Sequence, residues 1–271
     1  MNEQNEYLNE QPHEELTRMV EPEAPKMGAI QRIVALFTAP GELMKNIKVY
    51  PVVWFPLIVV IALGIISIPL SLQTTDILNQ ELSNISIERY GVDLMNLGAA
   101  FDEYGDSNLG GLMDTFALVG AVAGVIFGPP IISFLAALGL WILSKIVKGS
   151  TTLGQMFSMC MHIYIIAAVG GLVVFGLVSI TGNYLDMTSL AAVFMPRGNI
   201  SMVSFNILSA ISIFTVWDAI LTYLGVKIIN DISTVKAAVV TIIAFIVGVA
   251  IHVGIFMSTF IMWDMTMGML G

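Results

Sequence analysis

The sequence predicts an all-α membrane protein, a polytopic bundle of about five transmembrane helices. Of its 271 residues, 56% are hydrophobic and only 11% are charged, and the mean hydropathy is +0.86. A chain of this composition cannot cover its surface with polar groups in water. Its apolar stretches are long enough to cross a bilayer, which takes roughly 20 helical residues. They lack the period-two alternation of barrel strands, so helices must satisfy the backbone within lipid.

The chain opens with an acidic polar segment, residues 1–28, which is rich in Glu, Asn, Gln and Pro. Such a segment cannot bury enough apolar surface to offset the entropy of ordering. The opening also lacks the basic start and short apolar core of a signal peptide. We therefore expect a disordered cytoplasmic tail, with the first apolar span serving as the insertion signal.

Residues 29–51 are predicted to form a juxtamembrane amphipathic segment. Its apolar residues recur at helical spacing, which is typical of a short helix in the headgroup layer; they are Ile30, Ile33, Val34 and Phe37. Pro40 and Gly41 are predicted to end this helix. Lys45 and Lys48 follow, where they can meet anionic lipid.

The membrane domain, residues 52–271, is predicted to cross the bilayer five times. The predicted spans are 52–72, 115–143, 156–180, 204–229 and 237–262. Five crossings place nearly all cations on one side: Arg18, Lys26, Arg32, Lys45, Lys48, Lys145, Lys148, Lys227 and Lys236. Only Arg89 and Arg197 fall on the other. The positive-inside rule then predicts a cytoplasmic N-terminus and an exterior C-terminus.

An acidic exterior loop, residues 73–114, is predicted between the first two spans. We expect a soluble cap with a short helix around residues 85–100. Calcium binding is the weaker alternative, because the loop lacks the ligand spacing and terminal bidentate Glu of an EF-hand.

The second span contains a stripe of small residues, Gly120, Gly124 and Gly128, at intervals of four. Such a stripe predicts close packing against another helix. Pro129 and Pro130 follow it, and two prolines remove backbone donors and predict a kink or a broken helix. Broken helices line substrate sites in transporters, but a structural kink is the preferred interpretation.

Asp218 is the one acidic residue deep inside a predicted span, where an ionisable group costs at least about 2.5 kcal/mol. Thr222 lies one turn further on the same helix face, and His252 lies at a comparable depth on the next span. We expect a hydrogen bond or ion pair between Asp218 and His252. A polar clasp that fixes helix register is the preferred role, and a proton or ion relay is the alternative.

Catalysis and cofactor binding are not expected. The sequence contains one cysteine and three histidines, and it lacks the HExxH, GxSxG, Walker and GxGxxG motifs. We expect no metal site, no cofactor and no enzymatic activity.

Three stretches of the sequence carry a family resemblance. They are LFTAPGELMKNIKVYPVVWFPL, LSKIVKGSTTLGQMFSMCMHIY and IFTVWDAILTYLGVKIINDISTVKAAVV. Over residues 33–262 this pattern resembles the bacterial branch of the Yip domain family, named for Ypt/Rab-interacting proteins. The resemblance implies a five-span membrane domain with a cytoplasmic N-terminus. Eukaryotic relatives are associated with Rab-type GTPases, but their Asp-Leu-Tyr-Gly-type motif is absent here, so Rab binding is not carried over.

The function expected from the sequence is a non-enzymatic membrane scaffold or adaptor in a bacterial plasma membrane. Its partners would be the lipid bilayer and a membrane or cytoplasmic protein, a second copy of the chain included, and no nucleic acid. The alternative is a small transporter or channel that uses the kinked second span and Asp218. A continuous polar cavity reaching Asp218 would favour the transporter, whereas a dry packed centre would favour the scaffold.

Overall fold

The fold is helical throughout the described chain. The computed structural model describes residues 26–90, 109–182, 187–194 and 202–270. In chain order the helices are α1 (Ala29–Thr38), α2 (Pro40–Val49), α3 (Trp54–Tyr90), α4 (Leu109–Ile146), α5 (Leu153–Thr181), α6 (Leu190–Phe194), α7 (Met202–Ser209), α8 (Ile213–Asn230) and α9 (Thr234–Leu270).

Five segments are long and apolar enough to cross a membrane, which confirms the predicted fold class. They are Trp54–Ile77, Leu118–Ile146, Leu153–Thr181, Ile213–Asn230 and Thr234–Ile255. The predicted tail lies largely outside the described residues, because the description starts at residue 26. The centre of the predicted exterior loop, residues 91–108, lies outside them too, with most of the helix expected at 85–100. Helix α3 continues to Tyr90 and α4 begins at Leu109, so helical residues extend into the predicted loop from both sides.

Helix α5 forms the centre of the bundle, packing against α3, α4 and α8, and α8 in turn packs against α9. A helix that is apolar on all sides is stable only when its neighbours or lipid cover it. Thr152 and Gln155 set the start of α5 with a capping box, in which Thr152 Oγ1 accepts from Gln155 N at 3.3 Å and Gln155 Oε1 accepts from Thr152 N at 2.8 Å. Gly182, with φ of 64°, ends the helix in the left-handed conformation.

The fourth predicted span is divided, so the single helix expected over 204–229 is wrong. Helix α7 ends at Ser209, and α8 begins after Ser212, whose hydroxyl accepts from Thr215 N at 3.2 Å. A serine that caps a helix in this way competes with continuation of the backbone ladder. The break is held by the backbone of the segment before α6, because Ile213 N donates to Thr188 O at 3.2 Å.

The segment between Pro40 and residue 51 is also helical, which the sequence interpretation missed. Pro40 ends α1 but occupies the first position of α2, where a missing N–H costs nothing. Helix α2 lies against α5 and α8, with Leu43, Met44 and Ile47 fully buried. The predicted amphipathic segment is therefore two helices, of which the second is part of the folded core.

The second span, α4, contains both the paired prolines and the stripe of small residues. Helix α4 runs through Pro129 and Pro130 without a break. A Cβ built at Gly120, Gly124 or Gly128 would meet no described atom of another helix within 4 Å, and close packing of this stripe stays a prediction. The inward contacts of α4 come instead from other residues, Ala137 and Leu140 among them, which are buried in the core.

Candidate functional site

The candidate site is one end of the bundle, where most of the described cations lie. Its cations sit on α1, α2, the end of α4, the end of α8 and the start of α9; they are Arg32, Lys45, Lys48, Lys145, Lys148, Lys227 and Lys236. We refer to this region as the basic end. Two contacts show that its segments meet: Lys48 pairs with Asp231, which caps α8, and Lys236 Nζ donates to Val147 O at 3.1 Å.

Helix α2 is held at the basic end by close apolar packing. Gly225 of α8 faces Met159 of α5 and Met44 of α2, because a Cβ at this glycine would lie 2.1 Å from Met159 Sδ and 3.1 Å from Met44 Sδ. Both methionines are fully buried. Because residue 225 is a glycine, α2, α5 and α8 can pack closely at this point. Helix α2 is therefore part of the packed bundle.

Hydrogen bonds from side chains of α5 add to this apolar packing. Ser158 Oγ on α5 bonds both backbone groups of Val52, accepting from its N–H at 3.0 Å and donating to its carbonyl at 2.8 Å. Gln155 Nε2 donates to the carbonyl of Lys48 at 2.6 Å. The last carbonyls of α2 and the segment before α3 lack helical partners there, so side chains of α5 satisfy these backbone groups.

The turns at this end are tied to each other across long sequence separations. Ser150 donates to the carbonyl of Asn230 twice, from N at 3.3 Å and from Oγ at 3.2 Å. Gly149 fits closely against Asn230, since an added Cβ would lie 2.5 Å from Asn230 Oδ1. The turn after α4 and the end of α8 thus form one surface with α2.

Arg32 on α1 is a buried cation within this assembly, with 3% of its surface exposed. Its Nη2 donates to Tyr50 O at 2.9 Å and its Nε donates to Met27 O at 3.4 Å. Burial lowers the pKa of Arg32 from its usual value, because desolvation disfavours the charged form. His162 of α5, also buried, lies within electrostatic range of Arg32.

The predicted polar residues inside the spans are only partly brought together. Thr222 Oγ1 donates to Asp218 Oδ1 at 3.1 Å on α8, and Cys160 of α5 lies within electrostatic range of Asp218. His252 is exposed on α9, and a Cβ at Gly248 on the same face would meet nothing within 4 Å. No hydrogen bond or ion pair joins Asp218 and His252, both of which the structure describes.

A cavity of about 340 Å³ lies between α3, α4 and α5. Its lining includes Ser67, Tyr164 and several small residues, and Asp218 is not among them. In the part of the chain that the structure describes, no group of three or more His, Cys, Asp or Glu could hold a metal ion.

The residues that organise the basic end were missed by sequence reasoning. Asn46 and Asn230 are buried there, and His162 is 1% exposed. One signal could have located α2, namely the apolar spacing of Leu43, Met44 and Ile47 around one helix face. The distant partners of the polar side chains leave no local pattern.

Fold and site together define a polytopic α-helical membrane protein with two short helices docked at one end of the bundle. The Yip1 domain family model matches residues 34–256, so the chain belongs to the Yip1 domain family. It is similar to "Membrane protein YknW" of Bacillus subtilis, with 26% identity over 223 residues that cover 79% of this chain and 84% of that protein. No solved structure matches the chain.

Proposed function

We propose that the protein is a non-enzymatic scaffold or adaptor of the plasma membrane, whose basic end contacts protein partners in the cytoplasm. The observation that carries this proposal is the docking of α2 on α5 and α8, with its inner face fully buried. A helix fixed in this way presents its outer face in one orientation. A face that is already fixed lowers the entropic cost of binding a partner.

The outer face of α2 is polar and accessible. Glu42 and Lys45 form an exposed ion pair, with 57% and 56% of their side-chain surfaces exposed. The outer face of α1 is apolar instead, with Ile30, Val34 and Phe37 exposed. This division supports a membrane-facing α1 and a partner-facing α2, which would couple a bound protein to the bilayer surface.

A photoreactive amino acid at position 45 tests the proposal in living cells, and the same probe at Met187 is the matched control. Met187 is also exposed, at 45%, but it follows the opposite end of α5. We expect the probe at position 45 to form a discrete adduct with another protein that the control does not form. The substitution Glu42→Lys should remove the adduct at unchanged protein level. Probes at both Glu42 and Lys45 that yield no protein adduct above the control would refute the adaptor function.

Deletion of residues 1–50 would be a poor test of the same idea. It would remove Leu36, Leu43 and Met44 from the core, and loss of binding would then report unfolding. Single substitutions on the exposed face of α2 leave this packing in place, so they separate recognition from stability.

A small transporter is the alternative, and Asp218 is the observation in its favour. Its carboxylate lies in a candidate span, where Thr222 supplies a hydroxyl donor. Two features weigh against transport: α4 is not broken at Pro129 and Pro130, and Asp218 does not line the 340 Å³ cavity. Proton flux in liposomes, compared with the Asp218→Asn protein, distinguishes the two functions.

A further inference from the structure

A second, smaller cavity lies where α1 meets the start of α3. Its volume is about 140 Å³, and its lining residues are Lys26, Met27, Ala29, Arg32, Val52 and Phe55. One water molecule needs roughly 10–15 Å³ of such volume. The cavity therefore has room for a small anionic group.

The cavity is lined by a buried cation whose hydrogen bonding is incomplete. Arg32 is 97% buried, and its Nη1 has no hydrogen-bond partner among the described residues. Its other donors contact neutral backbone carbonyls, those of Met27 and Tyr50. A guanidinium stays charged in proteins, and a buried charge without a counter-charge is costly. An anion bound next to Arg32 would offset this cost.

The described carboxylates at the basic end do not supply that anion. Glu42 pairs with Lys45, and Asp231 pairs with Lys48. Lys26 adds a second positive charge beside Arg32, with its Nζ 6.0 Å from the ring centroid of Tyr50, the residue whose carbonyl binds Arg32. These two cations lie at the N-terminus of α1, where the helix dipole also favours negative charge.

The position of the cavity indicates where the anion comes from. Val52 and Phe55 flank the start of the candidate span Trp54–Ile77, and Trp54 is 77% exposed. An exposed tryptophan at the beginning of a span is typical of the membrane interface. The cavity therefore lies at the level of the lipid headgroups, with apolar walls on the side of the hydrocarbon.

We propose that this cavity binds the phosphate group of an anionic membrane lipid, with Arg32 and Lys26 as its ligands. The fork of a guanidinium matches the oxygens of a phosphate, and the walls formed by Val52 and Phe55 accommodate the glycerol and the first acyl carbons. The site is independent of the proposed protein partner, since it faces α3 rather than the outer face of α2.

The test compares phosphatidylglycerol with phosphatidylcholine of the same acyl chains, added to the purified full chain in detergent. Native mass spectrometry measures the retained lipid, and thermal unfolding measures the stabilisation. We expect the wild-type protein to retain phosphatidylglycerol preferentially. Lys26→Gln should reduce that preference about fivefold, the effect of one cation near a lipid surface. Arg32→Lys should reduce it as well, because an ammonium group lacks the fork of donors that matches a phosphate.

Lys45→Gln is the matched control, because it removes a charge at the same end but outside the cavity. It should keep the wild-type preference. Lys26→Gln leaves the hydrogen bonds of Arg32 in place, so it remains informative if the Arg32 variant does not fold. An equal lipid preference in the wild type, Lys26→Gln and Lys45→Gln proteins overturns the proposal.

Two further experiments test whether another group occupies the cavity. Inorganic phosphate that stabilises the protein in phosphatidylcholine, and displaces phosphatidylglycerol, would assign the cavity to free phosphate and overturn the lipid as its source. A preference for phosphatidylglycerol that emerges only after removal of residues 1–25 would show that the acidic segment fills the cavity in the intact protein. That result would overturn lipid binding as well.

Discussion

Ser158 and Val52 are 106 residues apart in the sequence, yet one hydroxyl of α5 pairs with both backbone groups of Val52, two residues before α3. Ser158 Oγ accepts from Val52 N at 3.0 Å and donates to Val52 O at 2.8 Å. Ser158 itself is fully buried. These two bonds hold the connection between α2 and α3 against α5, so they help to position both helices.

We expect Ser158→Ala to destabilise the protein by about 1–3 kcal/mol, because the part-buried N–H and carbonyl of Val52 lose their partner. Ser71→Ala is the control, since the Ser71 hydroxyl bonds only Ile68 O of its own helix. Thermal unfolding in detergent measures both variants. Equal stability of the two proteins would show that the Ser158 bonds contribute nothing net.

Two adjacent glycines of α5 are expected to respond in opposite ways to alanine. A Cβ at Gly170 would lie 2.7 Å from the ring of Phe214, whereas a Cβ at Gly171 would find its nearest neighbour at 4.0 Å. Gly170→Ala should cost about 1–3 kcal/mol because the ring must move. Gly171→Ala should be neutral or slightly stabilising through its higher helix propensity. Unfolding curves that rank the two in the reverse order would contradict this packing between α5 and α8.

Local patterns predicted much of the fold. The number of spans followed from the length of the apolar stretches, because a bilayer sets that length. The contact of Thr222 with Asp218 follows from their spacing of four on one helix. The break at Ser212 had a local signal too, since a serine followed by Thr215 three residues later is a capping pattern.

The misses have a different origin. Depth along a helix follows from counting residues, but the direction in which His252 points depends on how α9 is rotated against its neighbours. The burial of α2 depends on α5 and α8, which lie more than 100 residues further along the chain. Neither the rotation of α9 nor the docking of α2 can be predicted from a short stretch of sequence. Both follow only from the assembled structure.

Asp231 ends α8 with φ of 53°, in the left-handed region, while its carboxylate pairs with Lys48. The pair is largely exposed, with 68% of the Asp231 side chain accessible. We expect Asp231→Asn to change stability by less than about 1 kcal/mol, because exposed ion pairs contribute little. Asp231→Val should cost about 1–2 kcal/mol more, since a left-handed conformation disfavours a branched side chain. Equal unfolding temperatures for the two variants would contradict a role for backbone conformation here.

Asp218→Asn is expected to leave folding intact. The amide oxygen can still accept the hydrogen bond from Thr222 Oγ1, and a neutral side chain avoids the cost of an ionisable group in a span, at least about 2.5 kcal/mol. The protein level and the thermal stability should therefore match or exceed the wild type. Proteoliposomes should show the same proton permeability with either protein. A flux present in the wild type and absent in a stable Asp218→Asn protein would instead support the transporter.

Cysteine labelling can determine the orientation of the bundle, because the native Cys160 is only 8% exposed and should react slowly. Lys148 lies at the basic end, whereas Met187 follows the opposite end of α5 and is 45% exposed. The excess of Lys and Arg at the basic end predicts that it faces the cytoplasm. A membrane-impermeant maleimide on intact cells should therefore label Met187→Cys and spare Lys148→Cys, with both labelled after permeabilisation. Labelling of Lys148→Cys in intact cells would reverse the orientation and place α2 outside, where it could not meet a cytoplasmic partner.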